Sequence, residues 1–175
     1  MKTRTALIVA ALFASASVAL AAPKTVTDFG AQDFSVTDIV RALSSTRTRG
    51  LTIGTEDADE ASGRKISMRL RFGFDSAELT AEAKRRLDVV GAALTGAELA
   101  QSNLVVSGHT DVTGSYEHNI VLSQRRAEAV KAYLVSAHDV APARLKAVGR
   151  GPNELLDEAN PRSGVNRRVQ LAVAG

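Results

Sequence analysis

The sequence predicts an α/β (α+β) domain of order β-α-β-α-β-β over residues 64–174, built as one mixed sheet covered by helices on one face. Three patterns predict it. Ile66, Met68, Leu70 and Phe72 alternate with Ser67, Arg69 and Arg71, the period of a half-buried strand. Ala83, Leu87, Val90 and Leu94 recur at helical spacing, and so do Ser123, Ala127, Val130, Leu134 and Ala137. Val169, Leu171 and Val173 return to strand alternation near the end of the chain.

Each element has local signals. Met1–Ala22 has a basic start (Lys2, Arg4), an apolar stretch and a small-x-small site at Ala19-Leu20-Ala21. These are the zones of a secretory signal peptide, so residues 1–21 are set aside, with cleavage expected after Ala21. Residues 22–63 form an N-terminal segment and linker. Within it Val36, Ile39, Val40 and Leu43 predict one short amphipathic helix over about 37–44, capped by Thr37. Leu51 and Ile53 suit a short strand, and Gly54–Gly63 is an acidic linker. This segment reads either as a tether or as a piece that docks on the following domain or on a partner. From Lys65 onward the domain begins. Thr80 caps the first long helix and Gly96 stops it. Residues 103–109 form the second strand, 115–138 the second long helix, 144–149 the third strand, and 151–164 a loop with two prolines.

Composition excludes several classes. With no cysteine in 175 residues there is no disulfide, thiolate metal site, Cys nucleophile or thioether lipid anchor. Removing Lys2 and Arg4 lowers the formal charge from +3 to +1, a poor match for nucleic acid. No stretch after the leader approaches the ~18 apolar residues of a membrane span. The mature chain is therefore expected to be soluble and monomeric, with no cofactor and no metal site.

The residues suited to recognition sit at one strand-to-helix junction. Gly108–Gly114 (GHTDVTG) leaves the second strand carrying Thr110, Asp111 and Gly114. Asn119, Leu122 and Arg126 follow at spacings of three and four, on one helix face that begins near Asp111. A carboxylate and a guanidinium flanking one cleft suit a ligand with an ammonium and a carboxylate on the same carbon. Spacing alone also fits an ion pair between Asp111 and Arg126 that locks the loop.

The run Thr110-Asp111-x-x-Gly114, Asn119-x-x-Leu122-Ser123-x-x-Arg126-Ala127 resembles the signature of OmpA-like C-terminal domains. Phe74–Leu79, Gly149-x-Gly151-Pro152 and Asn166-Arg167-Arg168-Val169 resemble three further blocks of that family, in order, over about 64–174. The resemblance implies non-catalytic binding of peptidoglycan through the meso-diaminopimelate of its stem peptide. It puts Asp111 and Arg126 at the ligand's two charges, with Thr110, Asn119 and Leu122 lining or supporting the site. Gly114, Arg167 and Arg168 are further candidates. One arginine of that pair is expected in the cleft and the other on a solvated face or in a salt bridge. His109 is expected to have a structural role, and His118 and His138 to be exposed. The family implies a periplasmic protein at the interface of outer membrane and wall. In the alternative reading residues 22–63 bind an envelope protein and the domain is the anchor.

An enzyme is not expected. Ser107, His109 and Asp111 alternate on one stretch, but strand neighbours two apart lie about 6–7 Å from each other, too far for a triad relay. There is no G-x-S-x-G elbow and no H-E-x-x-H.

Overall fold

A computed structural model of the chain describes residues 25–44, 64–73 and 75–174. The expected leader, the strand at Leu51 and Ile53, and the linker over 54–63 lie outside the described residues.

Five strands form one sheet in the order β1-β2-β5-β3-β4. They are β1 (Thr25–Gly30), β2 (Arg64–Met68), β3 (Leu104–His109), β4 (Leu145–Gly151) and β5 (Val169–Val173). The helices are α1 (Val36–Leu43), α2 (Ala81–Thr95) and α3 (Tyr116–His138). β1 pairs parallel with β2, and β3 parallel with β4. The last strand, β5, inserts between β2 and β3 and runs antiparallel to both. The mixed sheet and the β-α-β-α-β-β order of residues 64–174 are as expected.

The N-terminal segment departs from the tether reading. Residues 25–30 add a fifth strand, and α1 buries Ile39 and Leu43 in the common core. The sheet therefore starts well before residue 64. Sequence reading missed β1 because TVTDFG has only two large apolar residues, and pairing with β2 supplies the rest. The cap of α1 also moves. Ser35, not Thr37, accepts the Asp38 amide, and Asp38 Oδ2 accepts the Ser35 amide at 2.9 Å, a reciprocal capping box. Arg86 of α2 holds this segment down. Its guanidinium donates to the carbonyls of Gly30 (3.0 Å), Arg69 (2.8 Å) and Gln32, and it stacks over the Phe34 ring.

The core lies between sheet and helices. Ile66, Met68, Leu104, Val106, Val169 and Leu171 meet Leu87, Val90, Leu94, Val130 and Leu134 there, all essentially inaccessible to water. Strand alternation turns Lys65, Ser67, Ser107, His109, Arg168 and Gln170 to the opposite face. The first predicted strand ends early. Leu70 is buried beyond β2, and Phe72 makes a lone bridge to Leu79.

α3 rests on the sheet with almost no side-chain spacer. A Cβ on Gly108 would lie 2.2 Å from the Ser123 carbonyl oxygen, and one on Gly149 would lie 2.6 Å from the Gln124 amide nitrogen. Only glycine permits that approach. Polar side chains of α3 then bond the sheet backbone. The Gly151 amide donates to Ser123 Oγ at 2.9 Å, and the Gly149 amide donates to Gln124 Oε1 at 2.6 Å. The helix face carrying Asn119, Leu122 and Arg126 is thereby fixed against the ends of β3 and β4.

Candidate functional site

A cleft of about 650 Å³ opens where β2 and β3 end and β5 begins. In open α/β sheets the crevice beyond the carboxyl ends of parallel strands is the usual place for a ligand. Thr110, Asp111, Gly114, Asn119, Leu122, Arg126 and Arg167 all line it. Seven of the eight residues singled out from sequence are thus brought together.

Asp111 is 5% exposed, and its carboxylate is held from two sides. Oδ1 accepts the Thr113 amide at 2.9 Å, and Oδ2 accepts Arg167 Nη1. Burial would raise its carboxyl pKa, but the Thr113 amide and the Arg167 guanidinium outweigh that and hold it below the usual carboxylate range. The Asp111 group is therefore an anion at neutral pH.

Arg126 faces it from α3. Its Nε donates to the Ser76 carbonyl at 3.0 Å, and its guanidinium stacks on the Phe72 ring, 4.9 Å from the centroid. Neither terminal nitrogen has a hydrogen-bond partner among the described residues, so the outer edge of the fork is open to an anion. Burial, and then the like charge of Arg167, press its pKa downward, though an arginine stays charged throughout the working range. The salt bridge of the site joins Asp111 to Arg167, not to Arg126. The ion pair that spacing alone allowed is therefore formed with a different arginine.

The supporting residues are placed by the backbone. Asn119 donates through Nδ2 to the Thr113 carbonyl at 2.9 Å, tying the loop to the first turn of α3. Leu122 forms an apolar wall. Thr110 is anchored by its amide to the Gly151 carbonyl at 2.9 Å, and its buried hydroxyl has no partner among the described residues. Asn166, fully buried, accepts the amides of Leu156 and Asp157 and donates to the Pro161 carbonyl. Pro161 in turn accepts the Val112 amide, so the long loop buttresses the segment that carries Asp111.

Arg168 is not in the cleft. It is 5% exposed on the opposite sheet face and donates to the carbonyls of Asn166 (3.2 Å) and Glu154 (3.1 Å). The physical reason is alternation: Arg167 and Arg168 leave the chain on opposite sides just before β5. His109 shares the back face. Turned to satisfy its neighbours, the Gln170 amide donates to His109 Nε2 (3.1 Å) and accepts from Arg168 Nε (3.0 Å). Burial, and then the Arg168 charge, push the His109 pKa down to about 3, so it is a neutral structural residue. Ser107 lies on that face too, away from Asp111, so the three residues of the superficial triad are split across the sheet.

Sequence reading missed the opposite wall. Phe72, Gly73, Asp75 and His118 also line the cleft, and His118 Nε2 lies 2.8 Å from Asp75 Oδ1. Asp75 has a left-handed backbone (φ 47°), the mark of a tight turn that sequence patterns place poorly. His118 is exposed, as expected, but His138 is not. It packs on Gly91 of α2 and bonds Asp88 at 2.9 Å.

Among the described residues no helix is long and apolar enough to cross a membrane. Comparison with known proteins agrees with the fold. The model of the OmpA family matches residues 71–168. The peptidoglycan-associated lipoprotein of Pseudomonas aeruginosa is 39% identical over 116 residues, which cover 65% of this chain and 66% of that protein. Outer membrane porin F of Pseudomonas fluorescens is 36% identical over 111 residues, covering 62% of this chain but only 33% of the porin. Among solved structures, the cell wall anchor of the T6SS from Pseudomonas aeruginosa superposes with a TM-score of 0.52 at 28% identity, covering 63% of this chain and 80% of that one. The chain thus spans only part of the curated relatives it matches. With its family model matching more than half of the sequence, this chain belongs to the OmpA family.

Proposed function

We propose that the protein is a non-catalytic peptidoglycan-binding protein of the bacterial envelope, and that it grips the free zwitterionic centre of meso-diaminopimelate in the stem peptide. It acts as a monomer in the periplasm, delivered by a leader over residues 1–21. The observation that carries this reading is the pairing of a buried anion, Asp111, with the open guanidinium edge of Arg126 in one cleft. Asp111 takes the ligand's ammonium and Arg126 takes its carboxylate through the fork. Thr110 offers an unused hydroxyl, and Leu122 packs on the ligand's methylene chain. In the free protein Arg167 stands in for the ammonium, so binding exchanges one cation for another at Asp111 and leaves no buried charge unpaired. Family membership and the names of the relatives support the wall as ligand, while the two charges support diaminopimelate within it. Residues 25–44 are already packed on their own domain, which leaves less of the N-terminal segment for a separate protein partner.

The test is a sacculus pull-down with the wild type beside Asp111→Ala and Arg126→Ala, and a peptide-binding assay with diaminopimelate or lysine in the stem. Truncating one member of a desolvated charge pair costs about 2–5 kcal/mol, so either alanine should weaken binding roughly 30-fold or more. Arg126→Lys should also weaken it, because an ammonium cannot reproduce a planar fork. A lysine stem peptide lacks the second carboxylate and should bind much less well. Equal binding of both peptides, or full binding by a folded Asp111→Ala protein, would overturn the assignment.

A further inference from the structure

We propose that the cleft continues into an anion-binding subsite, in which Arg69 and Arg71 take a second carboxylate of the stem peptide, one residue removed from the diaminopimelate centre. The inference rests on the diaminopimelate reading above.

A second crevice of about 360 Å³ adjoins the cleft. The two share Phe72, Arg126 and Arg167, so they are neighbouring rooms of one surface depression. Four guanidinium groups line the crevice, those of Arg69, Arg71, Arg126 and Arg167, against a single carboxylate, Glu82. Glu82 answers only Arg71, at 3.7 Å, and both side chains are largely exposed. Arg167 is drawn toward Asp111, and Arg69 has no ion pair among the described residues. With Arg71 paired to Glu82 and Arg167 to Asp111, Arg69 and Arg126 are the two arginines of this crevice without an ion pair among the described residues. Like charges held together repel unless an anion joins them, and the depressed Arg126 pKa already registers Arg167.

The position of Arg69 is built. Its amide donates to the Gly30 carbonyl at 2.9 Å, and its own carbonyl accepts Arg86 Nη1 at 2.8 Å. The backbone from which the side chain departs is thus clamped between β1, the end of β2 and α2. Ala31, just after β1, forms part of the crevice wall. The N-terminal segment therefore completes this subsite.

The ligand chemistry fits. Diaminopimelate is joined to the stem through its other centre, with a γ-linked glutamate before it and an alanine after it. The first leaves an α-carboxylate free, and the second ends in a carboxylate. Either lies one residue from the zwitterionic centre, and planar carboxylates are what arginine forks accept.

Three synthetic tetrapeptides distinguish these sources: one with both carboxylates free, one amidated at the glutamyl α-carboxyl and one amidated at the C-terminus. Binding to the full mature protein is read by fluorescence anisotropy. One of the two amides should bind about 10-fold more weakly than the free acid, the scale of a lost charge-assisted hydrogen bond. The Arg69→Ala/Arg71→Ala variant should bind all three alike, at the level of that weaker amide. Equal binding of the three peptides by the wild type would overturn the subsite and leave the diaminopimelate cleft standing. No binding of any of the three would overturn both.

Discussion

Arg167 and Arg168 leave the same turn in opposite directions, and their surroundings differ accordingly. Arg167 is about half exposed, lines the cleft and answers a carboxylate. Arg168 is buried, bonds two backbone carbonyls and packs beside a neutral histidine. The same contrast runs along β3 and beyond. His109 faces the back, and Asp111, past the strand's end, faces the cleft. The cleft side leaves its arginines partly open to water around a buried carboxylate, Asp111. The back face buries Arg168, which bonds two carbonyls, beside the neutral His109, and so holds the sheet edge that carries the cleft. The proposed binding chemistry and the scaffold chemistry thus use the same residue types, separated by the period of a strand.

This division predicts opposite outcomes for neighbouring substitutions. The largest effect on stability should come from Arg168→Ala. It strands the carbonyls of Asn166 and Glu154 and should cost about 2–3 kcal/mol in urea unfolding, with peptide affinity of the folded protein nearly unchanged. Unchanged stability would contradict the scaffold role.

An acid-dependent effect follows from His109. Its folded pKa, about 3, lies below the ordinary 6.5, so the unfolded chain binds the extra proton. Stability from this group is complete above pH 6.5, falls as the pH drops below 6.5, and levels off near pH 3. Between pH 7 and pH 5 the loss should be about 2 kcal/mol. A His109→Gln protein should lack that component, so the two proteins' pH profiles should converge on acidification. Parallel profiles would place a proton on His109 in the folded state.

The smallest stability change should be that of Arg167→Ala. Its salt bridge to Asp111 is half open to solvent on the arginine side, and the Thr113 amide still holds the buried carboxylate, so its removal should cost about 1–2 kcal/mol. A loss as large as that of Arg168→Ala would erase the distinction between the two faces.

Most of the frame was legible in the residues. Thr80 caps α2 as expected, and Ala83, Leu87, Val90 and Leu94 are all buried. The α3 stripe is right except for Ala137, which is exposed at the end of the helix. These succeed because helical and strand periods are local, and burial follows them directly. The cleft motif was legible for the same reason. Asn119, Leu122 and Arg126 share a helix face whatever else the chain does.

Tertiary structure alone decided the rest. It placed β1 on the sheet edge, because a short polar strand is stabilised by its partner and not by its own pattern. It buried Arg86, which looks like a solvated helix residue until three carbonyls from distant segments converge on it. It gave Asp111 to Arg167, a residue 56 positions away, and brought Phe72 and Ser76 under Arg126. Sequence spacing fixes which side chains share a face of one element. Which faces meet depends on the order of strands in the sheet, and that order is set by pairings between segments far apart in the chain.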